Sequence, residues 1–367
     1  MSLIHLSASQ CVRPLAKESE CRKCEAVCPT GAIVIESTLP SINFSTCVGC
    51  GACHAICPSE ALGLDDFSST DFFFDFLEEG GNIISCEKNV PCIAGVSVEH
   101  LISLAALKKE IVLDMGHCEG CDIAHKCKTQ ILHNYDEACY ILEAMESDAK
   151  ITLENVAYTQ ESAQNESSRR DFLRSINLKT FAKTRLDFER EVQKATDELV
   201  EHTLQKADIA LLKQKKIPHK RRILFSAIKR VPKPSVFHTI DANEISFTSQ
   251  KVMDEAKCTA CQMCYRLCPS GALTSDVKNS KIDFDPLLCI KCHVCHDVCE
   301  SDAITLSKAY SIKEFFEPSV QNLVSFNVRN CRECGMSFST NSNDKLCYRC
   351  KIEEQEARDL WGIEEEY

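Results

Sequence analysis

The residues in this chain best suited to chemistry are its cysteines, 26 among 367 residues. Two runs are set apart by their spacing: Cys258-x2-Cys261-x2-Cys264-x3-Cys268-Pro269 and Cys289-x2-Cys292-x2-Cys295-x3-Cys299. A thiolate is a soft ligand, and three of them in so short a run can wrap one metal centre while the fourth reaches elsewhere. Zinc rarely takes three cysteines from such a run, because its ligands come as separated pairs. The spacing suits the corners of an iron–sulfur cluster, so each run predicts one 4Fe–4S cluster. The elements that must hold them are short. Pro269 to Leu273 leads into one strand and Lys281-Ile282-Asp283-Phe284 into another, with turn residues between.

The same grammar occurs near the start. Cys47-x2-Cys50-x2-Cys53-x3-Cys57-Pro58 is a full run, and the half before it is stretched: Cys11, nine residues, then Cys21-x2-Cys24-x3-Cys28-Pro29. Ala32 to Glu36 and Ser41 to Phe44 read as a hairpin turned at Thr38-Leu39-Pro40. Both modules resemble bacterial dicluster ferredoxins. That resemblance implies a pseudo-twofold hairpin layout and crossed ligation, in which the fourth cysteine of each run serves the other run's cluster. It pairs Cys258, Cys261 and Cys264 with Cys299, and Cys289, Cys292 and Cys295 with Cys268. It likewise pairs Cys47, Cys50 and Cys53 with Cys28, and Cys11, Cys21 and Cys24 with Cys57. Cys11 lies outside the compact run, and a spare surface thiol is its alternative.

After a phenylalanine-rich stretch, Asn82 to Ser85 reads as a strand and Val98 to Leu107 as a helix. Ile111 to Leu113 reads as a second strand and Thr129 to Met145 as a second helix. This is a small β-α-β-α insert with parallel strands. Open α/β sheets build sites beyond the carboxyl ends of their strands. Cys86, Cys92, Cys118 and Cys121 fall there, with Cys127 as rival for one position; they predict a further metal site, of iron–sulfur type, or else reactive thiols without metal. Cys139 sits at a core spacing, and His117, His125 and His133 read as solvated.

Ile151 to Ile217 contains no glycine or proline, which favours a helical connector. Ser168-Arg169-Arg170-Asp171-Phe172-Leu173 within it copies an export motif but is internal and followed by polar sequence, so it is not read as a signal. Lys213 to Lys233 is a basic block without acids, expected to lie against an acidic ferredoxin surface or a partner. Cys331-x2-Cys334 and Cys347-x2-Cys350 read as a zinc ribbon, with rubredoxin-type iron as the alternative. The acidic tail from Ile352 is helix-prone, with Leu360 and Trp361 as possible anchors.

The fold class is therefore α+β and multidomain. Residues 1–66 form a dicluster module, 67–148 the α/β insert and 149–250 a helical linker with a basic strip. Residues 251–310 form the second dicluster module and 325–355 the ribbon. The formal net charge of −12 weighs against nucleic acid as a partner. No apolar run is long enough to span a membrane, and the cysteine usage with no secretion signal suits reduced thiols in a cytoplasm. The order of parts also resembles multi-cluster ferredoxins associated with molybdenum-dependent formate dehydrogenases and similar respiratory systems. The segments carrying that likeness are Pro91 to Ala94, Asp114 to Cys121, Arg169 to Leu173 and Ile217 to Arg222. An electron-transfer polyferredoxin, not itself an enzyme, is the expected function. A metalloenzyme assembly or redox-sensing factor with structural clusters is the alternative.

Overall fold

A computed structural model describes residues 4–156, 211–212 and 214–362. The chain divides into two compact units: Met1–Cys11, Arg22–Leu211 and Pro218–Val236 form one, and Val12–Cys21, Leu212–Ile217 and Phe237–Tyr367 the other.

In the first unit, strand β1 (Ile4–Leu6) pairs antiparallel with β4 (Leu62–Leu64), and β2 (Ile33–Val34) with β3 (Ser41–Ile42). Ile4, Ile33, Ile42, Leu62 and Leu64 are buried. Between the pairs lie two single-turn helices, α1 (Lys23–Val27) and α2 (Ala52–Ile56), each ending at the fourth cysteine of a run. The β2–β3 pair falls inside the expected hairpin. The outer pair is too short to leave an alternation that sequence alone reveals.

The phenylalanine stretch forms α3 (Ser69–Glu78), capped by Ser68, which accepts a hydrogen bond from the Asp71 N–H at 3.2 Å. Then come parallel strands β5 (Ile83–Ile84), β6 (Glu110–Asp114) and β7 (Lys150–Glu154) in the order β5-β6-β7. Helices α4 (Val98–Lys108) and α5 (Ala124–Ala144) make the crossovers. Strand β7 corrects the expectation of a helix from Ile151. Ile151 is buried and Leu153 half-buried in a Lys-Ile-Thr-Leu-Glu alternation, a period-two signal that the lack of glycine and proline obscured. The arginine-pair motif and most of the expected helical linker lie outside the described residues.

The basic block contributes α6 (His219–Ile228), which meets Ala55, Cys57 and Glu60 of the first dicluster module through buried as well as surface residues. Lys220 and Arg221 are buried beside the buried carboxylate of Glu99, at 3.9 and 3.6 Å. The Lys220 ammonium donates to the carbonyls of Ala55 and Cys57, both at 2.8 Å. The Glu60 carboxylate accepts from the backbone N–H groups of His219 and Lys220 at the positive end of α6.

His100 on α4 is also buried, and burial pushes its pKa down to about 3, with Lys220 and His54 opposing its charge and Glu60 favouring it. Its Nδ1 meets the Ser97 hydroxyl at 3.1 Å. The unfolded chain takes up this proton below about 6.5 and the folded chain does not, so stability falls as pH drops through that window. The loss is about 2 kcal/mol at pH 5. His100→Gln should narrow the gap between denaturation midpoints measured at pH 7 and pH 5; an unchanged gap would locate the acid sensitivity elsewhere.

In the second unit, β9 (Lys251–Met253) pairs with β12 (Ile304–Leu306), and β10 (Leu273–Thr274) with β11 (Lys281–Phe284). This repeats the layout of the first module, around α7 (Met263–Arg266) and α8 (Val294–Asp297). β8 (Thr239–Asp241) pairs with β13 (Ala309–Ser311). After the single-turn helix α9 (Lys313–Phe316), β14 (Gln321–Ser325) adds to β11 and widens that sheet. The ribbon is a hairpin of β15 (Asn327–Asn330) and β16 (Ser337–Thr340), followed by α10 (Tyr348–Trp361). Leu360 and Trp361, expected as anchors, are 80% and 72% exposed. They lie at the free end of α10, whose one buried residue is Cys350.

Candidate metal centres

Three cysteine loops share one backbone pattern. The second residue after the first cysteine and the residue after the second cysteine both take positive φ. These are Gly49 and Gly51, Ala260 and Gln262, and Lys291 and His293. Successive left-handed residues curl the chain so that thiols and amides face a common centre, as anion-binding nests do. Glycine does this without strain in the first module, whereas the second uses side chains that tolerate it less well. From Cys11 the chain turns instead through Arg13–Leu15, and the Arg13 guanidinium donates to the carbonyls of Ser19 and Cys21 at 2.8 and 2.7 Å.

The fourth cysteines are alike in all four halves, the stretched one included. Three residues after each comes a left-handed residue: Gly31, Glu60, Gly271 and Asp302. Two residues after each comes a hydroxyl near its sulfur: Thr30 at 3.7 Å from Cys28, Ser59 at 3.7 Å from Cys57, Ser270 at 3.7 Å from Cys268 and Ser301 at 3.8 Å from Cys299. Amides of Ala61, Leu273 and Ala303 donate to the sulfurs of Cys57, Cys268 and Cys299 at 3.3 to 3.4 Å. Hydrogen bonds to cluster sulfurs raise reduction potential. These four hydroxyls went unread in the sequence, although their fixed offset from the fourth cysteine was visible there.

The thiols gather in groups. Cys28, Cys47, Cys50 and Cys53 line one cavity with Ile4, Ile33 and Leu64. Cys11 and Cys57 share a buried cluster with Leu39 and Ala61. In the second module burial raises the Cys258 thiol, and the charges of Cys261 and Cys299 raise it further. Burial likewise raises Cys292, with added repulsion from Cys289, Cys268 and Cys295. Thiolates crowded this way repel one another, so only a bound multivalent cation lets each group ionise together. The donor set therefore fits the iron–sulfur clusters its spacing implies.

Residues 19–61 and residues 250–300 each match a family described as a 4Fe-4S dicluster domain. The chain carries two dicluster domains. They make it ferredoxin-like, and domains of this kind indicate iron–sulfur electron transfer. Cys11 precedes the first matched stretch. No curated protein matches the chain. Among the described residues no helix is long and apolar enough to cross a membrane.

Within the second dicluster domain the charges are uneven. Lys251, 3% exposed, donates through Nζ to Nε2 of His296 at 2.7 Å. Burial, with the charges of Lys251 and His293, pushes His296 down to about 3, so the ring is the neutral acceptor. Burial raises the Cys295 thiol to about 12, and the Lys251 ammonium opposes that rise. The Ser249 hydroxyl lies 3.3 Å from the Cys289 sulfur. A nearby cation favours the more negative, reduced cluster. Lys251→Met should lower one midpoint potential of this domain by on the order of tens of millivolts. A redox titration followed by electron paramagnetic resonance reads it, and unchanged midpoints would place the ammonium too far away to matter.

The ribbon thiols differ in scale. The sulfurs of Cys331, Cys334, Cys347 and Cys350 all lie within 4.8 Å of one another. Cys334 and Cys347 are 3.8 Å apart. Metal–sulfur bonds of about 2.3 Å in a tetrahedron give edges of about 3.8 Å, so these four fit one mononuclear ion. A hydrogen bond from the Cys334 N–H leads those that draw the Cys331 thiol down to about 6. In a cubane cluster each thiolate binds its own iron, so its ligands stand further apart.

The insert brings its cysteines to the carboxyl edge of the parallel strands. Cys86 follows β5, Cys92 precedes the turn Ile93–Gly95, and Cys118 and Cys121 follow β6. Burial raises the Cys86 thiol to about 11, with repulsion from Cys92 and Cys118 adding to it. His117 is not simply solvated: its Nε2 meets Glu87 Oε1 at 2.6 Å, tying the Cys86 loop to the Cys118 loop. Cys139 is half-buried on α5, beside Tyr135.

Proposed function

We propose that the protein is an electron-transfer polyferredoxin relaying single electrons between partner proteins through four 4Fe–4S clusters. The observation that carries this is the fourfold recurrence of one sulfur-cradling device across both dicluster domains. The ligand sets are Cys47, Cys50, Cys53 and Cys28; Cys11, Cys21, Cys24 and Cys57; Cys258, Cys261, Cys264 and Cys299; and Cys289, Cys292, Cys295 and Cys268. The mutual repulsion of Cys258 with Cys299, and of Cys292 with Cys268, supports the crossed assignment in the second domain. When bound, each cluster accepts and returns one electron. The chain's own residues fix the thiolates, exclude water through Ile33, Ile42, Ile282 and Phe284, and set potentials through hydroxyls, amides and Lys251.

The ribbon holds one structural zinc and carries no electrons. Catalysis belongs to a partner oxidoreductase, for which a formate dehydrogenase-type molybdoenzyme is the candidate suggested by sequence resemblance, in a cytoplasmic setting. Anaerobic purification followed by iron and sulfide analysis should give at least about 16 of each per chain. Dithionite-reduced protein should then reoxidise stoichiometrically with a soluble protein acceptor. A protein that reduces but passes nothing on would favour an assembly or redox-sensing role.

A further inference from the structure

The insert is built against the first dicluster domain at its cluster-binding loop. Two glycines let the backbones meet: a Cβ on Gly95 would lie 3.0 Å from the Cys50 carbonyl oxygen, and one on Gly51 would lie 3.4 Å from the Gly95 Cα. The neighbouring Gly51 takes φ of +78°, so any side chain there would be strained as well as crowded. At Cys28, which lines the same cavity, the Lys126 ammonium on α5 donates to the backbone carbonyl at 2.9 Å. The next residue, Cys127, is 3% exposed, and its thiol lies within hydrogen-bonding reach of both Cys50 and Cys92. Cys92 in turn neighbours Cys86 and Cys118, and Cys118 neighbours Cys121. A chain of thiols thus runs from the Cys28, Cys47, Cys50 and Cys53 cavity to the carboxyl edge of the insert's sheet.

We propose that Cys86, Cys92, Cys118 and Cys121 hold a fifth iron–sulfur cluster, and that Cys127 is the hydrogen-bonding thiol between it and the Cys50 cluster. This rests on the reading of Cys50 as a cluster ligand. Four soft thiolates on loops at one sheet edge are a donor set that an iron–sulfur cluster takes, each thiolate meeting its own iron. The His117–Glu87 pair holds two of the ligand loops in register, as partners outside a metal site commonly do. A thiol has a single hydrogen, so Cys127 donates to Cys50 or to Cys92 at any moment. It acts through these two ligands and is a positioning residue, not itself a ligand.

The test compares the full chain with its Cys86→Ala/Cys118→Ala variant, both purified anaerobically and reconstituted with iron and sulfide. The expected content is about 20 irons in the first and about 16 in the second. Equal counts near 16 overturn the fifth cluster, whereas counts far below 16 in both overturn the four-cluster reading instead. Should the double variant misfold, native alkylation of the unaltered protein gives the answer. Cys121 is exposed and Cys118 half-exposed, yet both should resist iodoacetamide until a chelator strips the iron. Rapid labelling of both in the iron-replete protein would overturn the site. Cys127→Ala should keep all the iron and lower the midpoint potential of one cluster by loss of a sulfur hydrogen bond. Loss of about four irons in that variant would make Cys127 a ligand and overturn its assigned role.

Discussion

Replacing Cys347 by Ser should release one zinc per chain and unfold the ribbon, while the iron content stays unchanged. The argument begins with what the ribbon lacks. All four residues of β15 are exposed, and α10 buries Cys350 alone. So short a hairpin and a mostly solvated helix cannot offset the backbone entropy of ordering them. The four thiols must supply that free energy through a metal, for which structural zinc sites in peptides show apparent values of about 10–16 kcal/mol. Lys351 pairs with Asp344 at 2.6 Å, and Arg349 with Glu353 at 2.7 Å. Such exposed pairs contribute little and will not hold the segment once the ion is gone. Mass spectrometry for metal, with limited proteolysis across residues 327–361, reads both effects. Persistent protease resistance without metal would sink the claim. Loss of iron in place of zinc would assign the site to a rubredoxin-type ion.

The ribbon also touches its own unit. Ser339 donates to the Asn279 carbonyl, and Asn341 donates to the carbonyls of Glu255 and Cys258. Unfolding it should therefore loosen the Cys258 loop and increase the oxygen sensitivity of the dicluster domain beside it. Faster bleaching of the visible absorbance in air than in the unaltered protein would show this without further mutation.

How much of this was legible beforehand depends on whether the information was local. The cysteine runs were readable because a cluster imposes its spacing on consecutive residues, and Leu273 and Phe284 paired as the turn residues between them implied. The ribbon was readable for the same reason. Strand β7 was not, because its period-two pattern spans only Lys150 to Glu154 and sits at the start of a charged stretch. The basic block was read as lying against a ferredoxin surface or a partner, but the burial of its charges was not legible. Lys220 and Arg221 look like surface residues until Glu99, distant in sequence, is found beside them. Cys127 posed the hardest case. Nothing near it in sequence marks Cys50 as its neighbour, and only the docking of Gly95 on Gly51 brings them together. The offsets of Thr30, Ser59, Ser270 and Ser301 were local and could have been found, had the fourth cysteine rather than the first been taken as the origin of each repeat.

Glu99→Gln should destabilise the first unit by about 3–5 kcal/mol, because it removes the charge from a buried group that faces two buried cations. Glu99 is 3% exposed, and its two oxygens lie 3.6 Å from Arg221 and 3.9 Å from Lys220. Glutamine preserves the shape, so the effect reports charge rather than a cavity. Lys220 cannot escape to solvent without giving up the Ala55 and Cys57 carbonyls, each at 2.8 Å. Those carbonyls end α2, the helix that carries Cys53 and leads into Cys57. Strain at Glu99 will therefore pass to the thiols on either side. The expected signature is a lower denaturant midpoint together with faster loss of iron, both measured anaerobically. Replacing Lys220 as well, by Met, removes one of the stranded cations and should recover part of the stability, although two carbonyls lose their donor. A double variant no more stable than Glu99→Gln alone would mean that the carbonyl contacts, and not the ion pair, are what hold α6 to the dicluster domain.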